Sequence, residues 1–428
     1  MRSLRRATLV AALVAVSALG ACTEELSTLS GCPVLCPGQD VSILDTVLDP
    51  AITFDTTLAP FPIIGSESVL LLADRGDTLD VRAIVRFDTL PRRYSPTGDT
   101  LTPITRLDSA TLAVQLKRTA LAPPETFVLE AYDVTDTVAV DSVPSALLPY
   151  FVPSRLLGAI QVDSGFVRDS VSLQVPIDPG KLLLIVTDTL RVLRIGLRVR
   201  GSGSTEVTLT GVEGGTTAPT LRFRASADTA VKPLLARPYS RTPLTPLGLN
   251  EDFRDYSLVV SAPGVRAAER LSIGGIPGHR AYLRFDLPVW LTDSVAVLSA
   301  RLELMQEPIR GMDAGRSFVV RAHLGFGAWD LFDLARAARL LAPAGLFITD
   351  SLVLSPADSG WRSFEMYEAV RQWRTVNGRR AIPSTVILRP DVEGAAPTAA
   401  RFFGRGAPQG LRPRLRISYV PSIRFGQP

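Results

Sequence analysis

The chain of 428 residues has few of the side chains on which common catalytic mechanisms rely. It contains three cysteines and two histidines, and only Lys117, Lys181 and Lys232 of its 46 basic residues are lysines. It also contains no nucleophile elbow, P-loop, dinucleotide-binding fingerprint or zinc-binding helix. These absences predict a non-catalytic protein without a cofactor. A polysaccharide lyase or hydrolase that uses carboxylates such as Asp358 and Glu365 is an alternative.

The apolar run near the N terminus is too short to span a membrane. Residues 1–6 include three arginines, the apolar stretch Ala7–Ala21 follows, and Cys22 comes next. Because a span needs roughly 20 apolar residues, the pattern predicts a cleavable export signal over residues 1–21. Leu19-Gly-Ala-Cys22 resembles the lipobox of bacterial lipoproteins, which implies lipid attachment at Cys22 and a lipidated tether over residues 22–40.

A lipid on this cysteine would hold the protein on the membrane of the bacterial cell envelope. The next residue is Thr23, whereas in lipoproteins of Gram-negative bacteria an aspartate there is the usual inner-membrane retention signal. Its absence favours the outer membrane. An ordinary secretory signal, cut near an incidental Cys22, is the alternative.

The remaining two cysteines, Cys32 and Cys36, flank a short segment that contains Pro33. In an exported, oxidising compartment they can form a local disulfide, because a turn can bring their α-carbons within bridging distance. Two free thiols are the alternative. A metal site is disfavoured, since it needs more ligands and the two histidines, His279 and His323, lie far away in the sequence.

Charge is nearly balanced, with a formal net charge of +4 from 46 basic and 42 acidic residues. The charged content of 21% is ordinary for a globular protein, and the hydrophobic content of 46% is sufficient for two sizeable cores. Export disfavours nucleic acid as a partner. The bias toward arginine is weak support for an acidic partner, because genome composition can produce the same bias.

The strongest pattern present is a tandem duplication. Arg82–Asp88 reads RAIVRFD and Arg280–Asp286 reads RAYLRFD, and neighbouring segments recur in the same order. The further matching pairs are Ser109–Gln115 with Ser299–Met305, Val128–Tyr132 with Val319–His323, and Ala218–Phe223 with Arg412–Ile417. A period this long is that of a domain, so the chain consists of two homologous domains with little room for a third.

Each copy has the pattern of short strands joined by turns. The 33 prolines and 32 glycines separate short apolar runs, and helical patterns do not alternate regularly with these runs. The sequence therefore predicts an all-β chain of two tandem antiparallel β-sandwich, jelly-roll-like domains with short helical insertions. The predicted ranges are 41–227 for the first domain, 228–249 for the linker, 250–421 for the second domain and 422–428 for the tail.

Two segments of the second copy have helical spacing, Leu331–Leu341 and Phe364–Val376. In the latter, Tyr367, Val370 and Trp373 recur every three residues and share one face of a helix. An aromatic stripe of this kind can stack on sugars. The spacing favours packing against a sheet instead, because a helix in a sandwich must bury one face.

Five segments of the second copy carry a family resemblance: Tyr282–Pro288, Ser299–Leu304, Phe364–Trp373, Val386–Arg389 and Arg412–Tyr419. Together they resemble the DNRLRE domain, which is similar to carbohydrate-binding module family 96. The resemblance implies a β-sandwich of the kind found on bacterial surface and secreted proteins. Some members of that family bind anionic polysaccharides such as alginate. The resemblance reaches the first copy through the duplication.

Three strands place pairs of arginines on one face by their alternation. These candidate ligand-binding residues are Arg198, Arg200, Arg222, Arg224, Arg414 and Arg416. If the strands are neighbours, the guanidinium groups form a positive stripe suited to bidentate contacts with carboxylates. The alternative is a solvated face on which the arginines pair with nearby acids.

The sequence thus predicts a non-catalytic envelope lipoprotein whose two β-sandwich modules bind a polysaccharide, with an anionic glycan favoured. A structural or adhesive protein that binds another protein is the second possibility, and a lyase or hydrolase is the third. A Ser/His/Asp triad would have to use His279 or His323. The first copy has Tyr132 where the second has His323, so this histidine is predicted to be structural.

Overall fold

The computed structural model describes fourteen ranges of the chain: 42–62, 64–65, 67–96, 100–118, 125–135, 144–163, 170–188, 192–203, 205–239, 254–267, 269–325, 348–376, 379–380 and 382–421. The predicted leader, the three cysteines, the helix predicted at Leu331–Leu341 and the tail lie outside these ranges. The described part is mostly antiparallel β-sheet, which confirms the predicted fold class.

The strands are numbered in chain order across both halves. Strands β1 to β14 are Leu44–Leu48, Ile52–Phe61, Val69–Asp74, Asp80–Phe87, Arg93–Tyr94, Thr102–Pro103, Ser109–Arg118, Phe127–Asp133, Leu156–Val162, Val171–Pro176, Leu193–Arg200, Thr205–Thr210, Thr220–Arg224 and Leu234–Ala236. Strands β15 to β26 are Asp255–Ser261, Arg270–Gly274, Gly278–Phe285, Val295–Glu307, Phe318–Gly325, Ile348–Leu354, Gly360–Glu365, Thr375–Val376, Arg379–Arg380, Thr385–Pro390, Ala399–Phe403 and Arg414–Pro421.

The two halves have the same strand order. In the first sandwich the order is β14-β13-β7-β12-β3-β4-β11-β8-β9, with β10 also on β7 and β15 also on β4. In the second sandwich the order is β1-β26-β18-β25-β16-β17-β24-β19-β20, with β21 also on β18 and β2 also on β17. The β3-β4 and β16-β17 hairpins connect the two layers of each sandwich, so both layers face one core.

Alternation along the strands produces these cores. On β11, the side chains of Leu193, Ile195, Leu197 and Val199 all point into the core of the first sandwich. The intervening residues lie on the opposite face of the strand, as the period of two requires. The predicted strand over residues 195–200 is therefore confirmed, together with its buried face.

The second core contains Trp373, for which the sequence allowed either packing against a sheet or stacking on a sugar. Trp373 is completely buried, and its ring centroid lies 5.2 Å from that of Phe285. Val370 is also buried, and Tyr367 packs against the same cluster. Core packing is confirmed.

The helix predicted over Phe364–Val376 is shorter than expected. Phe364 belongs to β21 and points into the core, and the helix runs only over Tyr367–Gln372. It starts there because the Glu365 side chain accepts a hydrogen bond from the Tyr367 amide, at 3.0 Å. The remaining helices are Pro179–Thr187 and Val289–Asp293, and short 3₁₀ turns occupy Pro144–Tyr150, Pro153–Arg155, Val212–Thr217 and Gln409–Leu411. None of the helices in these ranges has the length and hydropathy of a membrane span.

The first strands of each repeat are exchanged between the halves. Strands β1 and β2 open the chain, yet they pair with β26 and β17 of the second sandwich. Strands β14 and β15 precede the body of the second repeat, yet they pair with β13 and β4 of the first sandwich. Each repeat therefore completes the sandwich of the other.

The two exchanged strands pair with their neighbours at equivalent residues. Asp55 on β2 is paired with Leu283, and Asp255 on β15 is paired with Val85, which is the repeat equivalent of Leu283. Each aspartate then accepts a hydrogen bond at 2.7 Å from a backbone amide in the turn after a strand, Asp55 from Arg405 and Asp255 from Val212. Side chain and backbone thus fix both exchanged strands in the same register.

Because of the exchange, some strands do not belong to the sandwich in which the predicted domain ranges put them. Residues 44–61 fall in the range predicted for the first domain, but they lie in the second sandwich. Residues 234–236 fall in the predicted linker, but they form β14. The alternating pattern shows that a strand exists and which face it buries, but it carries no information on which of two similar strands is its neighbour.

Buried contacts across the halves reinforce the exchange. Glu206 of the first sandwich binds Arg316 of the second sandwich and also Arg75, at 2.8 Å, and its side chain is completely buried. Ile276 of the second repeat packs with Leu71 and neighbouring side chains of the first. Removal of one partner from a buried ion pair typically costs about 3–5 kcal/mol, so the two halves are firmly joined.

We expect the halves to stay together when the chain between them is cut. A protease site inserted within residues 240–253 would separate β1–β14 from β15–β26. After complete cleavage, size-exclusion chromatography under native conditions should show both fragments in one peak at the size of the intact protein. They should separate only in denaturant, because separation removes strands from both sandwiches.

The same site inserted after residue 421 is the control, since cleavage there removes only the tail. Fragments that elute separately in native buffer after cleavage within 240–253 would contradict the exchange.

Candidate functional site on the second sandwich

The six arginines predicted to bind a ligand do not form one stripe. Arg198 and Arg200 lie on β11, whose neighbours are β4 and β8. Arg222 and Arg224 lie on β13, whose neighbours are β7 and β14 in the opposite layer. The second-half pair lies on a separate sandwich. The stripe required these strands to be neighbours, and the topology keeps them apart.

In the first sandwich Arg200 and Arg224 have ordinary partners, whereas the Nε atom of Arg198 is buried and has no hydrogen-bond partner among the described residues. Arg200 forms an ion pair with Glu130 at 3.6 Å, and Arg224 donates a hydrogen bond to the Val231 carbonyl oxygen at 3.1 Å. The side chain of Arg200 is 61% exposed, so this ion pair contributes little. Arg200 therefore fits the alternative of a solvated arginine that pairs with a nearby acid.

In the second sandwich Arg414 and Arg416 share one acid. Both are paired with Glu303 on β18, at 2.5 Å and 3.1 Å. Partial burial alone would raise the pKa of Glu303, but hydrogen bonds from both arginines outweigh it, so the pKa lies below its usual value. The carboxylate is therefore ionised at neutral pH, and it balances only one of the two positive charges.

A second cluster of the same kind lies farther along β18. Arg270 and Arg401 both pair with Glu307, at 3.1 Å and 3.5 Å. Glu303 and Glu307 are four residues apart and face the same side of the strand, so the clusters lie about 13 Å apart. Arg301, whose side chain is 58% exposed, also lies on this side, where it is paired with Glu365 at 3.8 Å. We call this outer surface the arginine face.

Aromatic rings accompany the guanidinium groups on the arginine face. The Arg414 guanidinium carbon lies 4.1 Å from the centre of the Trp361 ring, and that of Arg270 lies 4.2 Å from the centre of Phe403. Trp361 is only partly buried and is paired with Met305 on the outward side of β18. Sequence reasoning missed Trp361. Its alternation with buried Phe364 in the segment 360–365 could have placed it on an outer face.

A cleft of about 550 Å³ opens beside the arginine face. One wall is the exchanged strand β2, with Asp55 and Thr57, and the opposite side carries Arg266, Arg270 and Arg405. Asp55 is paired with the Arg405 side chain at 3.5 Å. The lining therefore carries three arginines and two acids, Asp55 and Glu269, around a space whose size is ordinary for a small-ligand site. We call it the edge cleft.

The first sandwich lacks this chemistry at the equivalent positions, which follow from the matching strand registers. The arginines at 270, 301, 401, 405 and 414 correspond to Val69, Thr111, Thr208, Val212 and Thr220, and Trp361 and Phe403 correspond to Ser172 and Thr210. Among these positions Arg416 alone keeps its charge, as Arg222. The two repeats share a skeleton but differ in the charge of this face.

Two buried carboxylates, Glu67 and Asp255, lie away from the arginine face. Desolvation raises the pKa of Glu67 to about 7 and that of Asp255 to about 8, and the nearby Glu213 contributes to both shifts. Glu67 lines a cavity of about 270 Å³ between the halves, and it accepts a hydrogen bond from the Gly65 amide at 2.9 Å. Asp255 repeats the strand-holding contact of Asp55, so we assign both acids to the joint between the halves.

The two histidines are buried and held by neighbours. Burial, reinforced by Arg389 and other arginines, lowers the pKa of His323 to about 4, and its Nε2 accepts a hydrogen bond from Arg389 at 3.2 Å. His279 donates from Nδ1 to the Gly274 carbonyl oxygen at 3.1 Å. Within the described ranges, no three His, Cys, Asp or Glu side chains converge as metal ligands.

No protein-family model and no curated protein matches the chain. Among solved structures, it is similar to the tandem CBM22 domains of Xyn10C from Paenibacillus barcinonensis, with 10% identity over 89% of this chain and 98% of that chain and a TM-score of 0.13. It is also similar to the tandem CBM51 modules of a family 98 glycoside hydrolase from Streptococcus pneumoniae, with 7% identity over 86% and 100% and a TM-score of 0.16. At these TM-scores neither likeness carries an argument.

The two buried carboxylates predict a stability that depends on pH. In the unfolded chain they ionise near their ordinary pKa values of 4.5 and 3.8, whereas in the folded chain they stay protonated up to about pH 7 and 8. The folded state thus binds more protons in this window. Their contribution to the free energy of unfolding should be complete below about pH 4 and lost as the pH rises to about 8.

Chemical denaturation at several pH values should show this slope in the unmodified protein and a much smaller slope in a Glu67→Gln, Asp255→Asn double variant. Glu368→Gln, at an exposed position, is the control and should keep the slope. An unchanged slope in the double variant would contradict the assignment.

Proposed function

We propose that this protein is a non-catalytic envelope lipoprotein that binds an anionic polysaccharide on the arginine face and in the edge cleft. The observation that carries the proposal is the contrast between the repeats. Five arginines and two aromatic residues of the second sandwich replace neutral and non-aromatic residues of the first, on the same skeleton. The core does not require these side chains, since they face outward.

The charge arrangement suits a polymer of acidic sugars. In each cluster two arginines share one glutamate, which leaves one positive charge without a balancing acid within the cluster. A ligand carboxylate can therefore bind the guanidinium group whose charge the glutamate leaves unbalanced, without displacing the glutamate. Arginine offers carboxylates a bidentate contact. With clusters about 13 Å apart, one extended chain can contact both.

The aromatic rings add a second kind of contact. Trp361 and Phe403 each lie beside an arginine of the face. An aromatic ring offers an apolar surface to the C–H face of a sugar, while the guanidinium group binds an acidic substituent. Recognition of this kind requires a carbohydrate that carries both features, which favours polyuronates over neutral glycans.

Substitution of Arg414 and Arg416 by alanine should weaken binding to alginate or pectin by roughly tenfold or more, because two charge-assisted contacts are lost. Affinity electrophoresis in gels that contain the polysaccharide measures the effect. A neutral glucan in the gel should retard neither protein. Rising salt should weaken the retention of the unmodified protein.

The matched control is Arg222→Ala, which removes the equivalent of Arg416 from the first sandwich. A variant with Arg198 and Arg200 replaced by alanine tests the first sandwich separately, and we expect nearly full retention. Equal retention of the Arg414 and Arg416 variant and the unmodified protein would reject the arginine face. Release of unsaturated or reducing ends from the polysaccharide would instead indicate a lyase or hydrolase.

The anchor is proposed from the leader alone. We expect Cys22→Ser to abolish fatty-acid incorporation in cells supplied with a labelled fatty acid, because the thiol is the attachment point. The unmodified protein should fractionate with the outer membrane, and the variant should leave it. Cys32→Ser is the control and should keep the label. Labelled C22S protein would contradict the anchor.

A further inference from the structure

Exposed apolar side chains are concentrated at one end of the second sandwich. Ile43, Leu44, Val289, Trp290 and Leu298 are between 40% and 63% exposed. They are five of the fourteen large apolar side chains that are exposed in the described part of the chain. We call this group the apolar corner.

Two members of the apolar corner, Leu44 and Trp290, lie beside the ring of Tyr419. Tyr419 on β26 is paired with Leu44 of β1 on one side and with Val297 of β18 on the other. Its ring centroid lies 5.5 Å from that of Trp290. Leu298 follows Val297 at the point where the register of β18 against β26 shifts. The five side chains therefore lie at the same end of strands β1, β18 and β26.

The position of the apolar corner relates it to the N-terminal part of the chain. Strand β1 begins at this end, and β26 ends at it with Pro421. Cys22 precedes Ile43 by 21 residues, which span at most about 75 Å. The corner is the part of the described structure that lies nearest in sequence to the predicted lipid. Because the exchange brings β1 here, the second sandwich and not the first adjoins the tether.

We propose that the apolar corner rests in the lipid surface to which Cys22 is anchored. This inference depends on the lipid anchor of the proposed function. Tryptophan together with aliphatic side chains suits the boundary between water and acyl chains. A second copy of the chain is a poorer occupant, since a stable interface needs about 20–30 residues a side.

The orientation has a consequence for the arginine face. Strands β1, β18 and β26 run away from the apolar corner, so the layer that they form stands upright on the membrane. Glu303 and Glu307 then lie about 17 Å and 30 Å along β18 from Leu298. The arginine face therefore stays beside the membrane, open to a polysaccharide.

Quenching of tryptophan fluorescence by brominated lipid tests this orientation. The acylated protein is reconstituted into phosphatidylcholine vesicles with or without bromine on the acyl chains, and the vesicles are collected by flotation. Brominated lipid should quench the unmodified protein, and Trp290→Phe should lose that quenching. Trp361→Phe is the matched control and should keep it, because Trp361 lies on the arginine face.

The outcomes separate the two proposals. If the protein floats with the vesicles but Trp290→Phe is quenched as strongly as the unmodified protein, the orientation is wrong and the anchor stands. If the chain carries no acyl group and does not float, both fail. An aqueous quencher can also be added without vesicles. If Trp290 is then shielded more strongly as the protein concentration rises, a second copy of the chain covers the corner, and the orientation is wrong.

Discussion

The backbone of a buried strand needs hydrogen-bonding partners on both edges, and in this protein one edge of β4 and one edge of β17 depend on the other repeat. Strand β15 supplies the partner for β4, and β2 supplies the partner for β17. The side chains of Asp55 and Asp255 fix the two strands in register by binding backbone amides across the sheet. Loss of either strand would leave a row of unpaired backbone groups and an open core. The rest of the architecture depends on this requirement.

The functional surfaces depend on the exchange as well. Strand β2, from the first repeat, forms one wall of the edge cleft, whose other side carries arginines of the second repeat. Strand β1, also from the first repeat, contributes Leu44 to the apolar corner. The proposed ligand site and the proposed membrane contact therefore both combine residues of two repeats. A single repeat would provide neither.

The two repeats have kept the apolar character of their inward side chains, whereas their outward side chains differ. On the inward side both repeats keep apolar residues, because the cores of both sandwiches must be filled. On the outward side Arg414 corresponds to Thr220 and Arg401 to Thr208, since solvent tolerates either. This asymmetry supports the proposal that the second sandwich binds the ligand, whereas the first completes the fold and holds β15.

The sequence by itself determined the elements that follow from local periodicity. Alternation located the strands and their buried faces, the repeat located equivalent positions such as Tyr132 and His323, and helical spacing placed Trp373 in a core. These features depend on neighbours within a few residues, or on comparison of the chain with itself. The outward orientation of Arg414 and Arg416 was predictable for the same reason.

Only the tertiary structure decided which strands are neighbours. The exchange, the separation of Arg198 from Arg222 into different layers and the meeting of Arg270 with Arg401 at Glu307 all follow from long-range pairing. Two repeats with nearly the same alternation offer each strand two acceptable partners, and local pattern does not distinguish them. Contacts such as Asp55 with the Arg405 amide, and the burial of Glu206 between the halves, select one pairing, and such contacts exist only in the folded chain.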